Sequence, residues 1–136
     1  MKFDVSQVLQ ANLSGRSCVA KRNEHDWMFE FGGAHVVAHA PWRLVGPECL
    51  LTTSYDHGQW YGLPAPINVE DRANAVLEGL VVSEVSADEV TGDLRVSFSN
   101  GMQLEIWNNS SGHEGWLASI EGRSIVALGS GGFSAW

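Results

Sequence analysis

The stretch "DLRVSFSNGMQLEIW", residues 93–107, decides how the chain folds. Apolar residues alternate on both sides of "SNG": Leu94, Val96 and Phe98 before it, Met102, Leu104 and Ile106 after it. A period of two is the signature of half-buried strands, so the segment is a hairpin. Its loop length is set by the pairing. A two-residue Asn100-Gly101 turn would set Phe98 against Gln103 and Val96 against Glu105, apolar against polar throughout. A three-residue Ser99–Gly101 loop, with Gly101 at positive φ, pairs Phe98 with Met102, Val96 with Leu104 and Leu94 with Ile106. Arg95 then faces Glu105 on the other side of the sheet.

An earlier stretch, "DWMFEFGGAHVVAHA" at 26–40, repeats the design with a shorter turn. Two residues, Gly32 and Gly33, bring Phe31 opposite Ala34, Phe29 opposite Val36 and Trp27 opposite Ala38. The outer face then carries two acid–histidine pairs, Glu30 with His35 and Asp26 with His39. They lie about 13 Å apart along the strands, too far for one metal ion to collect all four, and cross-strand ion pairing is the expected role.

Each hairpin is followed by a tryptophan opening a further strand, Trp42 in "PWRL" and Trp116 in "HEGW". "SCVAKR" and "LVVSEV" read as leading strands, "PECLLTTS" and "GRSIVALGS" as closing ones. Between the halves, "INVEDRANAVLEGL" places Val69, Ala73, Val76, Leu77 and Leu80 on one helical face. Asn68 is its N-cap, Glu70 and Asp71 fill its first turn, and Gly79 stops it. A shorter helix over 4–12 has Asp4 as cap and Gln7 three residues on. The expected fold is α+β: two similar antiparallel β-meander units, patterned like an internal duplication, packed as a sandwich, a curved sheet or an open barrel and joined by one amphipathic helix. Residues 1–136 are expected to form a single domain, with halves 16–58 and 80–136 and a linking loop and helix at 59–79.

Sixteen acids against eight lysines and arginines give a formal charge of −8, which repels phosphate backbones; nucleic acid is not an expected partner, and a basic protein is. No stretch approaches the roughly 20 apolar residues that span a bilayer, and "MKFDVSQVLQANLSG" lacks the apolar run of a signal peptide. The expectation is a cytoplasmic protein without membrane association. Cys18 and Cys49 are too few for a disulfide framework and sit beside apolar residues, as reduced packing residues do. No motif for a metal, a cofactor, a phosphate loop or a serine nucleophile is present.

The segment "SYDHGQWYGLPAP", residues 54–66, concentrates the candidate chemistry. "SYDHGQW" at 54–60 parallels "SGGFSAW" at 130–136, with Ser and Trp at the same separation, yet the first copy alone carries Tyr55, Asp56, His57 and Gln59. Adjacent residues of an extended chain point opposite ways, so Asp56 is a poor orienter of His57 for general-base catalysis. Asp56 fits an Asx-type turn before Gly58, and His57 a loop-stabilising hydrogen bond. Trp60 and Tyr61 either lid the end of the sheet or project as interface anchors, while Pro64 and Pro66 stiffen the loop.

The succession of an "FxFG"-type strand, "PWRL", "TSYDHGQ", "GLPAP", "TGDLRVSFSNG" and "HEGW" resembles small bacterial proteins grouped as domains of unknown function. In size and charge the chain is also similar to the small acidic immunity proteins that neutralise secreted toxins. The resemblance implies a bacterial protein without assigning a role to any residue. The expectation is a protein-binding module of immunity or regulatory type, without catalysis, that uses Tyr55, Asp56, His57, Gln59, Trp60 and Tyr61. The alternative is a small enzyme or ligand-binding protein with a pocket under the 55–66 loop built from Tyr55, Asp56 and His57. Incompletely closed meanders also leave sheet edges, which a homodimer would cover.

Overall fold

The hairpin at 26–38 forms in the register its alternation requires: Phe31 lies opposite Ala34, Phe29 opposite Val36 and Trp27 opposite Ala38. The second hairpin has the longer loop. Leu94 pairs with Ile106 and Val96 with Leu104, and the Phe98 N–H donates to the Met102 carbonyl at 2.8 Å. A computed structural model describes residues 4–136. Its elements are α1 (Val5–Leu13), β1 (Val19–Asn23), β2 (Asp26–Phe31), β3 (Ala34–Ala38), β4 (Trp42–Val45), β5 (Leu50–Thr53), α2 (Val69–Leu77), β6 (Val82–Ala87), β7 (Leu94–Phe98), β8 (Gln103–Ile106), β9 (Trp116–Ile120), β10 (Arg123–Ala127) and β11 (Phe133–Ala135).

The strands make two antiparallel sheets in an α+β fold, and the sheets do not close into a barrel. One runs β1-β2-β3-β9-β10-β11, the other β5-β4-β8-β7-β6. Each sheet therefore takes strands from both halves of the chain. The meander expected within each half breaks after its third strand, at 39–41 in the first half. Pro41 has no N–H to offer a ladder. The His39 and Ala40 N–H groups instead both donate to the Gly115 carbonyl at 3.0 Å, and the Trp107 N–H donates to the Pro41 carbonyl at 2.9 Å. Those bonds tie the two crossing points together.

The helices are exchanged as well: α1 packs on β6, and α2 on β1 and β5. Both start as their sequences require, with Asp4 accepting from the Gln7 N–H and Asn68 from the Asp71 N–H, each at 3.1 Å. Val5 and Val69, Gln10 and Asn74, Leu13 and Leu77, Gly15 and Gly79 each stand 64 residues apart. Gly15 and Gly79 end their helices at φ 79° and 78°. So α2 does more than connect the sheets: it holds in the second half the place of α1 in the first.

One core joins all layers. Trp42 from the second sheet meets Trp27 and Phe29 from the first, edge to face at 5.1 and 5.0 Å, and Phe29, Phe31, Leu44, Ile106 and Trp116 are fully enclosed. Cys18 is buried, and burial pushes its thiol far above the ordinary range. Cys49 departs from expectation; it is exposed in the β4–β5 turn, within the run Pro47–Leu50 that is exposed throughout.

Candidate functional site

The strand registers place the start of β2, the end of β5, the 107–115 connection and the start of α2 at one end of the sheets. The segment that leaves β5 there is fixed by its own polar groups. Ser54 Oγ accepts from the Trp42 N–H at 3.1 Å. Asp56 uses both carboxylate oxygens, Oδ2 accepting from the Thr53 N–H at 3.1 Å and Oδ1 from the Tyr61 hydroxyl at 3.0 Å. His57 Nδ1 accepts from the Val69 N–H at 3.1 Å, satisfying a donor that the start of α2 would otherwise leave unpaired. The His57 ring stands edge-on to Trp27 at 5.4 Å.

The base of the loop then closes on itself. The Gly58 N–H donates to the Ile67 carbonyl and the Ile67 N–H to the Gln59 carbonyl, both at 2.8 Å. Gly58, at φ 79°, makes the bend a side chain would resist. Above this closure Trp60–Pro66 is a lobe of seven consecutive exposed residues. Its tip is a tight turn in which the Leu63 N–H donates to the Trp60 carbonyl at 2.7 Å. Tyr61 and Gly62 between them have φ of 42° and 75°, the signs of a type I′ turn. Left-handed φ is strained for tyrosine, and the hydroxyl bond to Asp56 holds it there. Partial desolvation and that bond raise the Tyr61 phenol above its usual range.

The lobe presents Trp60, Tyr61 and Leu63 at 56%, 59% and 45% exposure, with Tyr55 at 75% beside its base. The structure thus separates the candidate residues into two groups. Asp56, His57 and the Gln59 carbonyl build the loop, and Tyr55, Trp60 and Tyr61 are displayed by it. Leu63 joins the displayed group; it lies within the "WYGL" run, and its apolar character beside two aromatics was the signal for it.

Of the two acid–histidine pairs, one forms. His39 Nδ1 lies 3.0 Å from Asp26 Oδ2. Glu30 stands across from His35 but pairs with Lys21 of β1 at 3.0 Å instead, because β2 has neighbours on both sides and a permanent cation competes better than an imidazole. Among the described residues no cluster of three or more His, Cys, Asp or Glu could hold a metal ion.

A second polar constellation lies on the outer face of the β5-containing sheet. Glu105, 8% exposed, takes Arg43 Nε at 2.6 Å and Arg95 Nε at 3.3 Å, and the Arg43 guanidinium stacks on Trp107 at 4.0 Å. The Arg95–Glu105 pairing is legible in the hairpin; Arg43 enters only because β4 crosses into this sheet.

No family model matches the chain, and no curated protein or solved structure is significantly similar to it.

Proposed function

We propose that the protein is a protein-binding module, of immunity or regulatory type, that engages a basic partner through the Trp60–Leu63 lobe. One observation carries this reading: the chain is already joined at Gly58, Gln59 and Ile67, so the lobe above serves no purpose in connecting β5 to α2. Seven exposed residues held in a strained turn, three of them large and apolar, form a rigid anchor of the kind that dominates protein interfaces. The charge of −8 favours encounter with a basic surface.

The enzyme reading draws less support, because Asp56 spends both carboxylate oxygens on the Thr53 N–H and the Tyr61 hydroxyl, and His57 Nδ1 accepts from the Val69 N–H at the start of α2. A general base at His57 Nδ1 would have to surrender the Val69 bond. Affinity capture from bacterial lysate with the parent chain and with Trp60→Ala, each partner identified by mass, tests the proposal. The expected loss is more than about 1 kcal/mol of binding for Trp60→Ala. Turnover of a small molecule that depends on His57 and survives Trp60→Ala would overturn it.

A further inference from the structure

The five-stranded sheet turns a charged face outward near the β6–β7 turn. Strand register sets Ser86, Arg95, Glu105 and Arg43 side by side in one row across β6, β7, β8 and β4. Two positions further along the strands, about 7 Å away, stand Asp93 and Trp107. Asp88 joins them, its N–H donating to the Asp93 carbonyl at 2.9 Å. Over these two rows lies a cleft of about 280 Å³, with Ser86, Asp88, Asp93, Arg95, Glu105 and Trp107 in its walls. That volume is just under the roughly 300 Å³ at which pockets for drug-sized molecules begin, room for one small metabolite.

The charges of the cleft are not all matched within it. Glu105 is taken by Arg43 Nε at 2.6 Å, which neutralises it, while Arg95 Nε reaches its second oxygen only at 3.3 Å. Because Arg95 uses Nε, its terminal N–H groups have no partner among the described residues. At the other end stand two carboxylates that no cation pairs with among the described residues. Asp93 Oδ1 accepts from the Asn108 N–H at 2.8 Å, and Asp88 Oδ1 from the Val90 and Thr91 N–H groups at 2.8 and 3.0 Å. Those backbone bonds fix both carboxylates and leave each with acceptor capacity. Trp107, 44% exposed and backed by the Arg43 guanidinium at 4.0 Å, supplies an apolar wall.

We infer that this cleft binds a free α-amino acid with an apolar side chain: its ammonium on Asp88 and Asp93, its carboxylate on the Arg95 guanidinium, its side chain against Trp107. Charge sorts the candidates. A simple anion would meet Asp88 and Asp93, a simple cation would meet Arg95, and an uncharged ligand would desolvate all three without answering their charges. A zwitterion answers both ends, and an amino–Cα–carboxyl unit with a hydrogen bond at each end spans the two rows. Its bonds are charge-assisted throughout, with arginine offering the carboxylate a two-pronged fork. The groups are placed before the ligand arrives, Asp88 by the turn backbone, Asp93 by Asn108 and Arg95 by Glu105, which lowers the ordering cost of binding. The site is separate from the Trp60–Leu63 lobe and does not rest on the proposed function.

The test is a proton–nitrogen NMR titration of the labelled chain with L-leucine, N-acetyl-L-leucine and L-leucinamide. The two capped compounds keep the side chain and remove one charge each. Saturable shifts of the Asp93 and Arg95 amides and of the Trp107 indole N–H are expected with leucine, and binding at least about tenfold weaker with either capped compound. Arg95→Gln, at an exposed position, should weaken leucine binding about tenfold while the spectrum keeps its dispersion. No saturable shift with leucine overturns the proposal, as do shifts confined to other parts of the chain. Equal binding of a capped compound, or of leucine by folded Arg95→Gln, shows that the paired charges are not read and overturns it too.

Discussion

The segments after β5 and β10 begin alike and end differently. Each leaves the second strand beyond the joint between halves, and each runs from a serine to a tryptophan six positions on, Ser54 to Trp60 and Ser130 to Trp136. After β10 the chain turns through Gly131 and Gly132 and comes back as β11, with Ile125 paired to Ala135 and Ala127 to Phe133. After β5 it coils into a short turn at Ser54–Asp56, closes at Gly58–Ile67 and displays an aromatic lobe. One segment extends the sheet, and the other adds no strand and forms exposed surface. Segments that begin alike therefore complete a sheet in one half and form exposed surface in the other.

The sharpest way to break this comparison is through its tryptophans. Trp116 is completely buried and donates from Nε1 to the Gly92 carbonyl at 2.7 Å. Trp116→Ala should cost about 3–5 kcal/mol of stability, and Trp60→Ala less than about 0.5. Urea unfolding measures both, and a large cost at Trp60 would make the lobe a structural element. The exchanged helices come next. Asn74→Ala and Gln10→Ala each leave backbone groups of an edge strand unpaired, at about 1–3 kcal/mol apiece. If one is costly and the other silent, the two helices are not equivalent. His57→Ala removes one hydrogen bond to the start of α2 and should cost about 1 kcal/mol, with a smaller effect on binding than Trp60→Ala.

The smallest effect is expected with pH, in the β6–β7 loop. Asp88 accepts from the Thr91 and Val90 N–H groups at 3.0 and 2.8 Å, and these bonds hold its carboxyl below the usual carboxylate range. A depressed folded value means that the contribution is present above the unfolded pKa and is lost as pH falls through the folded one. The Val90 and Thr91 amides should thus lose protection, relative to their intrinsic exchange rates, as pH falls below the ordinary aspartate range and through the lowered Asp88 value. Unchanged protection there would show that the carboxylate does not order the loop.

Both hairpins, their unequal loops and the two helix caps were legible because the signal for each is local: alternation, a glycine, an Asx residue before an amphipathic face. Membership of the sheets was not. Nothing near Pro41 says that β4 will lie beside β8, since that choice depends on pairing between segments as distant as Trp42 and Ile106. The match of α1 with α2 was within reach in Val5/Val69, Leu13/Leu77 and Gly15/Gly79, but the alternation of the hairpins is the stronger pattern and marks a repeat that starts later. At the loop, the turn role of Asp56 and a hydrogen-bonding His57 could be read from residue type. The closure between Gly58, Gln59 and Ile67 could not, because it is made by backbone atoms, and it is what turns a long loop into a lobe.

Excising that lobe separates fold from function. A chain with Trp60–Pro66 replaced by two glycines keeps the Gly58–Ile67 closure and should unfold within about 1 kcal/mol of the parent, losing mainly the Tyr61–Asp56 bond. The direct measurement is quantitative capture of the same bacterial lysate by the parent and excised chains side by side. The parent should retain a basic protein at a near-equal molar amount, and the excised chain should retain none. Equal capture by the two folded chains, or a parent that retains nothing, would contradict a recognition role for the lobe.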